Sequence, residues 1–218
     1  MSARQAWWEG SRTRWAAVTA VVLALLFAGA ATVASARDGA APERPVTPAA
    51  DSVEAGFARD MAVHHQQAVE MSFLVRDLTD DEEIRRLAYD IANTQANQRG
   101  MLLGWLDLWG LPKVAMDREP MGWMGMPSHG ASAPGAPMPG MASRAQLAEL
   151  RASKGRQAEI GYLRLMTAHH KGGVHMARGC AEKCATPVER ELAQGMVDAQ
   201  ESEIALMAEL LRKRGVRG

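Results

Sequence analysis

The chain has 218 residues, with 25 basic and 25 acidic side chains, 47% hydrophobic residues and 5% aromatics. That length suits one globular domain plus attachments, and the balanced charge leaves no electrostatic footprint for nucleic acid. Abundant Ala and Leu without strand-like alternation point to an all-α class.

In chain order, Arg4, Arg12 and Arg14 come first, and an uncharged run extends from Trp15 to Ala36. Basic residues ahead of an apolar stretch hold the N-terminus in the cytoplasm and send the remainder of the chain across the membrane. Ala34-Ser35-Ala36 fits a small-residue cleavage site. The run is 22 residues long, and roughly 20 suffice to span a bilayer. Residues 1–36 are therefore expected to form an N-terminal hydrophobic helix, either a signal anchor, which its length favours, or a cleaved signal peptide. Both readings put the rest of the chain outside the cytoplasm, membrane-anchored or secreted. Residues 37–50, with Pro42, Pro45 and Pro48, read as an extended Pro/Ala-rich tether.

Residues 51–112 read as a first helical hairpin. Phe57, Met61, His64, His65, Ala68 and Met71 keep helical spacing up to about Arg76. Thr79 or Asp81 can cap a second helix, which carries Ile84, Leu87, Ile91, Gln95, Gln98, Leu102 and Leu106 to Gly110 and Pro112. Residues 113–142, with five prolines and five glycines, cannot be a helix. This loop concentrates Met116, Met121, Met124, Met126, Met138 and Met141 with Trp123 and His129. Met121, Met124, Met126 and His129 are its candidates for low-affinity capture of Cu(I), while an adaptable linker is the plain alternative. Residues 143–216 read as a second hairpin. A capping box at Ser143 and Gln146 opens a helix expected to run unbroken to about Gly179, and Thr186-Pro187-Val188-Glu189 opens the last one. Cys180 and Cys184, the only cysteines, form either a local disulfide or a thiolate pair for a soft ion.

The two hairpins say the same thing. Met61-x-x-His64-His65 with Met71 recurs as Met166-x-x-His169-His170 with Met176, 105 residues later, and the register runs without a gap from Phe57–Gly110 to Tyr162–Gly215. Duplication of one supersecondary unit, with short turns inside each half, predicts an up-and-down four-helix bundle of two pseudo-symmetric hairpins. His65 and Gln95 lie equally far from Asp80, as His170 and Gln200 do from Ala185. Antiparallel helices then bring four histidines level with Gln95 and Gln200, with Gln98 and Glu203 one turn away. Adjacent histidines point about 100° apart, so one of each pair is expected on the bundle axis and its neighbour toward a groove or solvent. His175, which has no counterpart in the first half, is a minor candidate.

A polar layer inside a core needs a reason, because an unpaired buried polar group costs roughly 1–3 kcal/mol. One reason is a hydrogen-bonded network that fixes helix register. The other is a metal. Imidazole with thioether suits copper, as Cu(I) or Cu(II). Zinc would more often recruit Cys or carboxylate, and ferritin-type di-iron chemistry would need Glu-x-x-His motifs, of which the chain has none. The expected ligands are Met61, His64, His65, Met71, Met166, His169, His170 and Met176, with Gln95, Gln98, Gln200 and Glu203 orienting imidazoles from behind.

Met61-Ala-Val-His64-His65-Gln-Gln-Ala68-Val69-Glu-Met71 and Met166-Thr-Ala-His169-His170-Lys-Gly-Gly173-Val174-His175-Met176 resemble the signature of the domain of unknown function 305 family. So does Gln200-Glu-Ser-Glu203-Ile204-Ala-Leu-Met207, which is degraded in the first half to Gln95-Ala-Asn-Gln98-Arg99-Gly-Met101. The resemblance covers about Ser52 to Arg214. It implies a ferritin-like helical fold and, from some members, periplasmic copper binding linked to copper resistance. Gln98 in place of Glu implies unequal metal affinity in the two halves.

The sequence therefore predicts an extracytoplasmic protein that sequesters or hands on copper, with the membrane and a copper donor or acceptor protein as partners. The alternative is a non-metal helical interaction module whose His/Gln layer is structural. No nucleophile–base pair or acid–base carboxylate pair marks an enzyme.

Overall fold

A computed structural model of the protein describes residues 47–116, 118–125 and 138–216. The expected N-terminal hydrophobic helix, most of the tether, Met126 and His129 lie outside the described residues. Among the described residues no helix is long and apolar enough to cross a membrane.

The described chain is all-α. Helix α1 (Val53–Arg76) starts where the Ser52 side chain accepts from the Ala55 N–H, and α2 (Glu82–Leu108) where Asp81 accepts from the Ile84 N–H. Thr79, the other candidate cap, instead donates to Glu159 at 2.6 Å. Among the described residues of the loop, Gly122–Met124 form a 3₁₀ turn. The capping box at Ser143 and Gln146 forms and opens α3 (Arg144–Ala152), and α4 (Gly155–Lys183) and α5 (Pro187–Lys213) complete the chain of helices. At Thr186 the expected reciprocal cap does not form, because its side chain makes no cap hydrogen bond.

The third helix, expected as one piece, is broken. Ser153 turns its hydroxyl and its N–H back onto the Leu150 carbonyl and adopts an extended backbone. Gly155, at φ +52°, donates its N–H to the Leu78 carbonyl at 2.7 Å. That bond pulls the break onto the turn between α1 and α2, and a left-handed residue there suits glycine.

Helices α1 and α2 pack as one hairpin and α4 and α5 as the other; the hairpins meet along α1 and α4. At one end Arg214 bonds Glu159 at 2.6 Å and Asp81 at 2.9 Å, tying both halves together. At the other end the Ala185 N–H donates to Glu54 of α1. The bundle interior is two apolar clusters. Along every long helix the residues of one cluster give way to those of the other across a polar interval: His64 and His65 in α1, Gln95 and Gln98 in α2, His169 and His170 in α4, Gln200 and Glu203 in α5.

Candidate metal centre

All four paired histidines are fully buried. This corrects the expectation that one of each pair would face a groove or solvent. The two directions set by helical geometry both meet protein: one faces the other hairpin, the second faces the partner helix of its own hairpin. His64 and His169, which occupy matching positions of the repeat, lie against each other with ring centroids 3.8 Å apart and planes tilted by 35°. His65 and His170 turn to α2 and α5.

Each ring is oriented by one hydrogen bond through Nε2. His65 Nε2–H donates to Gln98 Oε1 at 2.9 Å, and His170 Nε2–H to Glu203 Oε2 at 2.7 Å. His64 donates to the Pro139 carbonyl at 3.1 Å, and His169 to the His64 backbone carbonyl at 3.0 Å. Carbonyl and carboxylate oxygens only accept, which puts the proton on Nε2 and leaves Nδ1 as the other valence of the ring. All four Nδ1 atoms are buried without a hydrogen-bond partner, as are both amide atoms of Gln95 and of Gln200. The orienting side chains are therefore Gln98 and Glu203, while backbone carbonyls orient His64 and His169. Gln95 and Gln200, level with the rings, make no such bond.

Burial in the low-dielectric interior pushes His64 down to about 4 and His65 to about 3, with His170 repelling both charged forms and His64 adding to the effect on His65. His169 is lowered well below free imidazole, first by burial and then by His64, His170 and His65. These three rings are neutral at pH 7, the state in which an imidazole ligates.

The thioethers occupy the interior on either side of the layer. Met61 and Met176 are fully buried in one cluster with Met121, Met138, Met141 and Met196; Met71, Met166 and Met207 are in the other. Each cluster thus draws one expected Met ligand from each half. Leu102 holds the place of Met207 in the first half, while Met101 is 45% exposed. Among the described residues no three His, Cys or carboxylate donors of the layer lie within 4.8 Å of one another.

The start of the described loop is exposed, Met116 at 94%, but its Met-Gly-Trp-Met stretch docks on the bundle. Met121 is buried, and Met124 is half-buried. The Met121 N–H and the Trp123 indole both donate to Asp60, at 2.7 and 2.9 Å. The end of the loop forms a strap over the layer. Gln67 exchanges two hydrogen bonds with Ala142, at 2.9 and 2.6 Å. A Cβ at Gly172 would lie 2.0 Å from the Pro139 carbonyl oxygen, so only glycine lets the strap sit close enough to serve His64. Gln67 and Gly172 are repeat equivalents, and nothing in the motif spacing marks either. His175 is exposed, and Cys180 and Cys184 are joined as a disulfide with an S–S distance of 2.09 Å.

A duplicated helical-hairpin bundle with a buried His/Gln layer between Met-rich clusters defines the class. The profile of the Domain of unknown function family DUF305 matches residues 54–211, and the chain belongs to that family. It is similar to a DUF305 protein of Streptomyces coelicolor considered to be secreted, at 64% identity over 78% of this chain and 98% of that one, with a TM-score of 0.71. A DUF305 fragment from Deinococcus radiodurans is 29% identical, with 74% and 96% covered and a TM-score of 0.60. CopM in its Cu(I)-bound form shares the fold at 20% identity, with 74% and 96% covered and a TM-score of 0.55. No curated protein matches the chain.

Proposed function

We propose that this protein binds copper outside the cytoplasm and holds it between its two hairpins, to sequester it or pass it to another protein, without catalysing a reaction. The ligands are His64, His65, His169 and His170 through Nδ1, with Met61 and Met176 on one side of the layer and Met71 and Met166 on the other. One observation carries the reading: four buried Nδ1 atoms, each on a ring whose Nε2 is already committed, lack any partner. Leaving such groups unpaired costs roughly 1–3 kcal/mol each, a cost that ligation removes. Neutral imidazole with thioether favours Cu(I). CopM has been solved with Cu(I) and with Cu(II) bound, which supports copper as the cargo. The basic residues ahead of the apolar leader and the secreted relative support the location, with the leader as membrane anchor or signal peptide.

The test is a Cu(I) titration of the full chain, in competition with a chromophoric chelator, beside a variant with all four paired histidines changed to Ala. Binding should be lost in the variant. In the parent, free Cu(I) at about a hundred times Kd should add roughly 2.7 kcal/mol of stability, a rise in Tm of roughly 5–10 °C for a chain of this size. Equal binding by both proteins, or a Tm that copper leaves unchanged, would favour a layer that only fixes helix register.

A further inference from the structure

The turn between α4 and α5 holds a second cluster, at the end of the bundle near the α1 N-terminus and away from the histidine layer. Donor atoms of Glu54, Cys184 and Glu189 all lie within 4.8 Å of one another, and all three residues are buried. Glu54 accepts the Ala185 N–H. Glu189 is fully buried, and neither of its carboxylate oxygens meets hydrogen-bond geometry with any donor. Burial, reinforced by Glu54 and only partly opposed by the Thr186 hydroxyl, pushes its carboxyl up to about 8. An ionisable side chain in the first turn of α5, buried beside a second carboxylate and a sulfur with no donor but the nearby Thr186 hydroxyl, satisfies nothing in the fold.

We propose that Glu54, Glu189 and the reduced Cys184 form a buried site for a zinc-like divalent cation, and that this ion and the Cys180–Cys184 disulfide exclude one another. Mixed thiolate and carboxylate donors match a borderline ion such as zinc. Opening the disulfide takes two electrons and two protons from a dithiol, which leaves as its own disulfide, and yields two thiols. The entering cation then displaces the Cys184 thiol proton and the Glu189 carboxyl proton to solvent. The bundle does not depend on the bond. The loop it closes spans only four positions and contributes about 2 kcal/mol at most on the chain-entropy account. The Cys184 N–H also donates to the Cys180 carbonyl at 2.8 Å, a second link across the same short loop.

Cobalt is the probe, because a thiolate bound to Co(II) absorbs in the near ultraviolet and the chain has only these two cysteines. The full chain is reduced with a dithiol, freed of it anaerobically and titrated with Co(II), beside the oxidised protein and the variants Cys184→Ser and Glu189→Gln. The charge-transfer band should saturate in the reduced protein and be absent from the oxidised protein and from Cys184→Ser. Glu189→Gln, whose amide mimics the neutral acid, should fold and bind at least about tenfold more weakly. Zn(II) should also slow reoxidation of the two thiols in the unmutated protein. No band after reduction, an undiminished affinity in Glu189→Gln, or reoxidation indifferent to Zn(II) would each overturn the proposal. None of these outcomes bears on copper in the histidine layer.

Discussion

In the first hairpin His65 donates to a neutral amide, Gln98, at 2.9 Å; in the second, His170 donates to the carboxylate of Glu203 at 2.7 Å. The contrast extends one turn along each helix. Gln67 reaches out to bond the strap, whereas Gly172, its equivalent, removes its side chain so that the strap backbone can land. Gly173 likewise lets the Gln200 amide lie against α4, where a Cβ would meet its oxygen at 2.4 Å, while the first half has Ala68. The contact from ring to neighbouring helix is duplicated at His65 and His170; its electronic support is not. A carboxylate behind an imidazole raises its basicity as a ligand, so if the layer holds copper as proposed, the second half would be the stronger donor and the first half the more easily emptied.

Acid should produce the largest effect. His64, His65 and His169 have folded pKa values below that of free imidazole. Unfolding therefore takes up protons from pH about 6.5 down to the folded values, and stability falls as pH drops through that window. The slope is at most roughly 1.4 kcal/mol per pH unit for each ring. For His64 and His65 the loss runs down to about pH 4 and about pH 3. Glu189 and Asp60, both raised, work the other way and offset the imidazoles near pH 7. Below about pH 6 all three imidazoles are protonated in the unfolded chain, outnumber the two carboxyls and leave the slope positive. Urea denaturation between pH 7 and 4 measures it, and a flat profile would mean that the rings are not buried and neutral.

The strap offers a smaller break. Gly172→Ala should cost about 1–3 kcal/mol through overpacking and free the His64 ring from Pro139. Gln67→Ala should cost about 1–2 kcal/mol for two lost hydrogen bonds without a clash. Thermal melting ranks the pair, and equal costs would erase this difference between the halves.

Glu203→Gln gives the subtlest effect and sharpens the comparison most. It makes the second half chemically like the first, and copper affinity should fall roughly tenfold, the scale of an orienting partner lost from behind a ligand. Gln98→Glu should strengthen the first half. Competition titration reads both, and no change in either variant would remove the asymmetry.

Much of the fold was legible in the sequence because a gapless repeat fixes geometry twice over: the helices, the hairpins and the depth of the four histidines come from matched spacing around two turns. Three features were not. The break at Ser153 depends on a bond from Gly155 to Leu78, a contact between segments that periodicity cannot report. The burial of all four rings depends on α1 and α4 being covered on two sides, which a single helix's pattern does not reveal. The strap depends on Gly172 and Gln67, two unlike residues at equivalent positions whose shared role appears only when Pro139 and Ala142 lie over them. Composition also could not report that Met121 is buried, because that depends on Asp60 holding its backbone N–H.

The central claim is that Nδ1 of each paired histidine is the metal-binding atom. Nitrogen-15 NMR of histidine-labelled full-length protein, with and without Cu(I), tests it directly. The metal-free protein should show the Nε2–H tautomer for His64, His65 and His169, and copper should move the Nδ1 resonances of the paired histidines while each Nε2 proton stays in place. Copper that shifts Nε2 instead, or leaves the Nδ1 resonances where they were, would contradict it.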